Sequence, residues 1–142
     1  MSAGDRWYAE AMRWFWQAER DLQAAGNLGD SGDYHWACFV AQQAAEKAVQ
    51  AVHAARGEDV GRVHSVMVLI QGDRQAGVQE ITELKHLGEI ARGLDRMYIP
   101  TRYPNGVPFG IPADFFGRKD AEDCWRRAQE ILEAVRRLLL NM

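Results

Sequence analysis

The side chains best suited to chemistry stand together between Leu94 and Gly106. Two arginines, two tyrosines and an asparagine fall in this stretch: Arg96, Arg102, Tyr98, Tyr103 and Asn105. A guanidinium holds a phosphate through paired hydrogen bonds, a tyrosine stacks on a base or donates its hydroxyl, and an asparagine bonds a base edge or a ribose. The stretch therefore predicts a nucleotide-binding site formed by Tyr98, Arg102, Tyr103 and Asn105.

A structural role for the same residues is the alternative. In that interpretation Arg102 pairs with Asp95, the tyrosines pack against the neighbouring helices, and Pro104–Gly106 is only a turn. The types and the spacing of these residues leave both interpretations open.

Four further polar side chains, Gln42, Gln43, Glu46 and Lys47, follow one another at helical spacing beside Phe39. Gln42 would neighbour Glu46 one turn away, and Gln43 would neighbour Lys47. The simpler interpretation is a solvated helix edge with weak side-chain pairs. The alternative is that Gln43, Glu46 and Lys47 form the floor of a cleft between two copies of the chain, where they orient a ligand.

The elements that position these residues are predicted to be helices, because apolar side chains recur three and four residues apart. We predict helices over residues 5–25, from the Asp30–Asp33 turn to about 55, over 64–70, over 78–98 and over 121–139. Gly26–Gly29 should end the first helix, and Pro100 should end the fourth. The first helix should bury one stripe of side chains: Trp7, Ala11, Trp14, Phe15, Ala18 and Leu22.

Residues 101–117 contain three of the four prolines, three glycines and three phenylalanines. Such a composition predicts an ordered loop that its aromatic side chains, Phe109, Phe115 and Phe116, pin to the helices. No stretch has the pattern of a strand. The predicted fold is therefore all-α: an up-and-down four-helix bundle with an additional short helix and an ordered loop before the last helix.

Length and composition restrict the class of protein. The 142 residues fit one domain, 1–142, and a net charge of −3 gives no general basic field for nucleic acid. No apolar run approaches the ~20 residues that span a bilayer, and residues 1–5 lack an export pattern. We expect a cytoplasmic protein without membrane contact, in which Cys38 and Cys124 are buried, free thiols.

Known catalytic and metal-binding patterns are not found in the sequence. His35 and Cys38 are three residues apart, but a pair without further ligands predicts packing rather than a metal site. There is no glycine-rich phosphate loop and no nucleophilic serine motif. We therefore expect neither a metal nor a cofactor.

Three large apolar side chains lie outside the expected core faces of the first two helices. Met12 and Trp16 are opposite the Trp7 and Trp14 stripe, and Phe39 is opposite the alanine face of the second helix. This second apolar surface predicts self-association, the alternative being that the 101–117 loop covers it.

Four segments together resemble the HEPN domain family (higher eukaryotes and prokaryotes nucleotide-binding). They are Ala18–Leu22 in the first helix, Ala37–Ala48 in the second, His64–Val66, and Leu94–Asn105 with its Tyr-Ile-Pro-Thr-Arg-Tyr-Pro-Asn run. The resemblance covers residues 12–135. It implies a five-helix domain built on a four-helix bundle, a homodimer, and a minimal nucleotidyltransferase partner in a toxin–antitoxin-like module.

Many members of that family are metal-independent ribonucleases marked by an arginine, four to six intervening residues and a histidine. None of the four histidines, His35, His53, His64 and His86, follows an arginine at this spacing. Arg102 stands where such an arginine would be, but no histidine follows it. RNA cleavage lacks its usual acid or base there.

Three functional hypotheses follow. The first is a nucleotide- or RNA-binding homodimer, the partner of a minimal nucleotidyltransferase, that binds through Tyr98, Arg102, Tyr103 and Asn105. The second is a metal-independent ribonuclease toxin with a non-standard site, in which His64 approaches Arg102 and replaces the missing histidine. The third is a structural helical partner subunit.

Overall fold

Six α-helices occur in the computed structural model, which describes residues 2–142. In chain order they are α1 (Ala3–Asp30), α2 (Tyr34–Ala55), α3 (Val66–Gln71), α4 (Gly88–Asp95), α5 (Pro112–Phe115) and α6 (Arg118–Leu140). Two 3-10 turns lie at Thr82–Leu87 and at Pro104–Gly106. Within residues 2–142 there is no strand, only an isolated β-bridge between Asp73 and Val78. The predicted all-α class and helical bundle are confirmed.

Helix α2 lies at the centre of the bundle because one side of it is almost entirely alanine. These alanines are fully buried: Ala41, Ala44, Ala45, Ala48 and Ala51. Their small side chains let α1 and α6 approach the backbone of α2 closely. On its other side α2 meets α3 and α4, which bury Leu69 and Leu94. The remaining α5 is a single turn in the loop before α6.

Helix α1 continues through the glycines that were predicted to end it. It runs to Asp30, so the predicted end at Gly26–Gly29 is wrong. The indole of Trp125 lies so near that a Cβ on Gly26 would be 3.4 Å from its Nε1, which donates to the carbonyl oxygen of Leu22. Tertiary packing against α6 therefore outweighs the weak helix propensity of glycine.

The buried stripe of α1 is shifted from the predicted one. Phe15 and Ala18 are buried as expected, but Met12, expected on the outside, packs against the core. Trp7, expected inside, is 44% exposed. It covers Gly57, where a Cβ would lie 2.6 Å from the indole. Gly57 has φ 76° and ends α2 as predicted.

The helix predicted over 78–98 is much shorter in the structure. Val78 belongs to the isolated bridge, and the chain then forms the Thr82–Leu87 turn before α4 begins at Gly88. Beyond α4, Met97 donates to the carbonyl of Leu94 and forms a turn. The helix has thus already ended before Pro100. Apolar spacing did not distinguish α-helix from 3-10 helix, because both bury side chains three residues apart.

The short third helix begins at Val66, two residues later than predicted, with Ser65 as its N-cap. The 101–117 loop is only partly pinned by its aromatics. Phe116 is buried, whereas Phe109 and Phe115 are exposed and pack edge to face on each other. The expectation that all three anchor the loop is therefore wrong.

Both cysteines are buried and free, as expected. A hydrogen bond with the Cys124 thiol, together with burial, raises the pKa of Cys38 far above its ordinary value. Because the thiolate is the reactive form, this thiol should be inert in the folded protein. None of the helices in residues 2–142 combines the length and the apolar run needed to cross a bilayer.

Candidate functional site

Aromatic rings, and not a carboxylate, hold the guanidinium of Arg102. Its central carbon lies 4.6 Å from the ring centres of both Phe39 and Tyr98, and 5.1 Å from that of Tyr103. Its Nε donates to the carbonyl oxygen of Tyr98 at 2.8 Å. We call these four residues the arginine cage. The terminal nitrogens of the guanidinium have no ion-pair partner within residues 2–142, and they can bind an anion.

The carboxylate of Asp95 serves a different purpose from the one considered in the sequence. It accepts hydrogen bonds from Ser65 Oγ at 2.7 Å, from the Val66 amide at 2.8 Å and from the Met67 amide at 3.0 Å. Asp95 thus caps the positive end of α3 from the last residue of α4. An Arg102–Asp95 pair is wrong, and the arginine stays available.

His64 is brought to the arginine cage by this cap. Its imidazole stacks on the Tyr98 ring, with the ring centres 5.5 Å apart and the planes inclined by 15°. Its Nδ1 lies 3.4 Å from the Glu46 carboxylate, and 52% of the side chain is exposed. An imidazole and a guanidinium therefore both contact one tyrosine ring.

Buried polar groups of α2 support His64. Gln42 is fully buried and donates to the carbonyl oxygen of His64 at 2.9 Å, while Gln43 donates to Gln42 at 2.8 Å and to Glu46 at 3.3 Å. The interpretation of these residues as a solvated helix edge is wrong. Gln42 and Glu46 have partners in the His64 segment, which lies far away in the sequence, and Gln43 bonds to both of them.

Glu46 is the buried acid of this network. Burial disfavours its charged form and raises the pKa of its carboxyl group, although the neighbouring His64 opposes the rise. Gln43 and Lys47 also favour the charged form. The Glu46 carboxyl group therefore binds a proton more tightly than a solvated carboxyl group would.

Lys47 faces away from the cage and ties α2 to α1. Its Nζ lies 2.5 Å from the carboxylate of Asp21, and both side chains are largely buried. The pairing expected with Gln43 does not form. Lys47 thus joins two of the four segments that carry the family resemblance, and its visible role is structural.

The loop that follows Arg102 folds back on itself. Pro104–Gly106 forms a 3-10 turn, and a Cβ on Gly106 would lie only 2.8 Å from the Cα of Pro100. Glycine is therefore required where the two arms of the loop meet. Tyr103 and Asn105 remain exposed at the edge of this loop.

Trp36 extends the aromatic surface beyond the cage. Its indole packs edge to face on Phe39, with the ring centres 6.0 Å apart, and it is 42% exposed. Phe39, Tyr98 and Trp36 thus form a continuous row of rings beside the guanidinium. Such a row can receive a base by stacking.

The structure brings together most of the residues proposed from the sequence. Tyr98, Arg102 and Tyr103 meet in the cage, His64 reaches it, and Gln43 and Glu46 lie behind His64; Asn105 is nearby but unengaged, and Lys47 is turned away. Sequence reasoning missed the part of Phe39 in the cage. Its placement opposite the alanine face was the available signal.

No metal centre is formed in the described part of the chain, since no three His, Cys, Asp or Glu side chains converge there. The groups that the cage offers are a cation, aromatic surfaces, an imidazole and a buried carboxyl group. These groups suit anion recognition and proton transfer.

Comparisons with known proteins agree with this architecture. The structure of TT1696 from Thermus thermophilus is 41% identical, covers 89% of this chain and 96% of its own, and superposes with a TM-score of 0.77. ST0689, described as an archaeal HEPN homologue, is 32% identical over 91% of this chain and 97% of its own, with a TM-score of 0.70.

Sequence comparison adds a functional association. A protein of Methanocaldococcus jannaschii, MJ1304, named as a candidate toxin, is 29% identical over 129 residues, which are 87% of this chain and 84% of its own. A family model described as the HEPN domain matches residues 11–138. The chain belongs to the HEPN domain family.

Proposed function

We propose that this protein binds a nucleotide or an RNA end at the arginine cage. The observation that carries the proposal is Arg102, a partly buried guanidinium surrounded by three rings and lacking a carboxylate partner in residues 2–142. A cation without a protein counter-ion binds an external anion without first losing an ion pair. The phosphate of a nucleotide supplies that anion.

The rest of the ligand is accommodated by the neighbouring side chains. Tyr103 is half exposed and Trp36 presents its indole nearby, so a base can stack on either. Asn105 lies in the exposed turn after Tyr103 and can bond a base edge or a ribose. Tyr98, Arg102, Tyr103 and Asn105 are therefore the proposed ligand-binding residues.

The proposal extends to assembly. The protein acts as a homodimer and as the partner of a minimal nucleotidyltransferase in a toxin–antitoxin-like module. The similarity to MJ1304 and membership of the HEPN domain family support the module. The exposed Trp16 on α1 supports self-association. Of the three residues proposed for a cleft between copies, Lys47 lines the same groove as Trp16, whereas Gln43 and Glu46 lie behind His64.

Binding is tested by titrating the protein with 5′-AMP and with a short RNA, using isothermal calorimetry and thermal unfolding. Arg102→Ala should weaken binding by ~10-fold or more, since a charge-assisted phosphate contact is lost. Arg96→Ala is the matched control, because Arg96 is exposed in the same segment and outside the cage. Equal affinities of the two variants would reject this site.

A second candidate function is metal-independent RNA cleavage, and the contact of His64 with Tyr98 favours it. The imidazole would take the proton of a ribose 2′-hydroxyl, whose oxygen would bond to the adjacent phosphorus while the P–O5′ bond breaks. The imidazolium would return that proton to the departing 5′-oxygen, and Arg102 would stabilise the charge that develops on the phosphate. Purified protein is incubated with mixed RNA in EDTA beside Arg102→Ala and His64→Gln. Cleavage by the wild type no greater than that by the variants removes this candidate.

The remaining candidate is a purely structural helical subunit. It predicts that neither 5′-AMP nor RNA changes the thermal unfolding of the protein, and that Arg102→Ala leaves assembly intact. Saturable binding that depends on Arg102 is incompatible with it.

A further inference from the structure

We propose that His64 is a second phosphate-contacting residue of the arginine cage, positioned by Glu46, and that the site takes up a proton when it binds a terminal phosphate. This inference rests on the proposed binding function and names its ligand class, a nucleotide or RNA end carrying a phosphomonoester. It assigns to Glu46 the role of a positioning residue.

The first step of the argument is geometric. The His64 ring centre and the Arg102 guanidinium carbon lie 5.5 Å and 4.6 Å from the centre of the same Tyr98 ring. Tyr98 is partly exposed and carries a hydroxyl group at its far end. The guanidinium and the imidazole thus have one ring as a common neighbour, and the proposed phosphate lies at the rim of that ring, where it bridges them.

The second step concerns the hydrogen atoms of the imidazole. Its Nδ1 faces the Glu46 carboxylate at 3.4 Å, so this nitrogen carries a hydrogen when Glu46 is ionised. A neutral imidazole has only one N–H, and its Nε2 is then an acceptor. Nε2 can donate to a phosphate only after it gains a proton. That proton comes from the solvent, and it remains on the imidazolium.

The charges around the pair favour this uptake. Glu46 of α2 faces His64 directly, and the ionised group stabilises an imidazolium. The other charged groups nearby are already engaged, since Lys47 pairs with Asp21 of α1 and Asp95 is bonded to the start of α3. Arg102, which contacts the same Tyr98 ring, opposes a second positive charge, and a bound phosphate neutralises its charge.

The pKa of the Glu46 carboxyl group also favours binding of a proton at this place. Burial raises the pKa of this carboxyl group and the neighbouring His64 opposes the rise, so the group binds a proton more tightly than a solvated one would. Lowering the pH should therefore add a proton to the Glu46–His64 pair before the ligand binds. Proton uptake is best measured at about pH 7.5, where a phosphomonoester is already a dianion.

The third step selects the terminal phosphate. A phosphomonoester carries about two negative charges and three non-bridging oxygens, whereas an internal phosphodiester carries one charge and two such oxygens. Only the former can balance both an imidazolium and a guanidinium. The site should therefore prefer 5′-AMP to the dinucleoside monophosphate ApA, and ApA to adenosine.

The experiment is calorimetric titration with 5′-AMP in two buffers of different ionisation enthalpy, at about pH 7.5. The wild type should take up close to one proton per ligand, and its affinity should fall as the pH rises. His64→Gln should abolish the uptake and weaken binding by ~3–10-fold, as one charge-assisted contact is lost. His86→Gln is the control, because His86 is exposed and lies in the turn before α4.

The outcomes separate the two proposals. Absence of 5′-AMP binding to the wild type overturns the proposed function. If binding requires Arg102 but its enthalpy is the same in both buffers, no proton is taken up, and this inference alone is overturned. Equal uptake by the wild type and by His64→Gln, or equal affinity for 5′-AMP and ApA, also contradicts it. If circular dichroism shows that His64→Gln folds poorly, the inference is tested by the affinity of the wild type for 5′-AMP, which should fall as the pH rises.

Discussion

At the scale of single residues, Glu46 shows how burial changes the pKa of a carboxyl group. Its carboxyl group lies on the central helix, only 5% exposed, yet it keeps contacts with Gln43 and His64. An exposed carboxyl at the same point of α2 would simply be solvated. Here burial raises the pKa, which makes the folded state bind a proton more tightly than the unfolded chain does.

The sign of the pH effect follows directly. Because the folded-state pKa of Glu46 is raised above its unfolded value, the free energy of unfolding should fall as the pH rises from the unfolded pKa towards the folded one. Glu46→Gln removes this ionisation and should flatten the pH dependence. Urea unfolding across mildly acidic pH measures it, with Glu130→Gln on the exposed side of α6 as control. Parallel curves for the wild type and Glu46→Gln would refute the assignment.

At the scale of elements, the last two turns of helix α1 contain two glycines that do not share one explanation. Gly26 lies against Trp125, and a Cβ there would meet the indole at 3.4 Å. Gly29 would meet only Ala121 and Ala37, at 3.8 Å and 3.9 Å, which is ordinary contact. Packing thus accounts for a small residue at position 26 and leaves position 29 free to accept alanine.

Gly29→Ala should therefore stabilise the protein by ~0.5 kcal/mol, because alanine is the better helix former and its methyl group has room. Gly32→Ala, three residues later, should cost ~1 kcal/mol, since Gly32 has φ 88° in the turn after α1. The two variants are compared by urea denaturation. A loss of stability in Gly29→Ala would show that α1 and α6 tolerate no added atom there.

At the scale of the whole molecule, the arrangement of apolar surface favours an assembly. Trp16 is 59% exposed near the middle of α1, beside Arg13 and Gln17. Met12 has been drawn into the core, and Phe39 belongs to the arginine cage. The second apolar surface is therefore smaller than predicted. Of its three predicted residues, Trp16 is the main one that remains on it.

Trp16→Glu should convert a dimer to a monomer, because a carboxylate in an apolar interface loses its hydration. Light scattering at tens of micromolar measures the molar mass. Leu140→Glu is the matched control, since Leu140 is an exposed apolar residue at the far end of α6. A monomeric wild type, or dissociation by both variants, would argue against an interface at Trp16.

The helical bundle was predictable because apolar periodicity is a local signal. The alanine face of α2 and the extent of α6 were predicted from apolar spacing alone: the alanines are buried, and α6 includes the predicted residues 121–139. The ends of α1 and α4 were not predicted correctly. Gly26 is accommodated by Trp125 from another helix, and Leu84 is buried by a 3-10 turn. Local patterns contain no information about such partners.

The candidate site was predictable in its residue types and not in its connections. Arg102 and the tyrosines were recognised as a group, but the Phe39 ring comes from α2 and the Asp95 carboxylate is used by α3. Gln42 has the spacing of a polar edge and is nevertheless fully buried, because the His64 carbonyl accepts its hydrogen bond. A single sequence shows neither the distance nor the direction of these long-range contacts.

The edge-to-face contact between Trp36 and Phe39 gives the protein an intrinsic optical reporter. Indole emission responds to nearby charge and to stacked bases, and Trp36 is separated from the Arg102 guanidinium by a single ring. We expect the difference between the fluorescence of the wild type and that of Trp36→Phe to follow occupancy of the cage. Stopped-flow recording of that difference would yield the association and dissociation rates without any attached label.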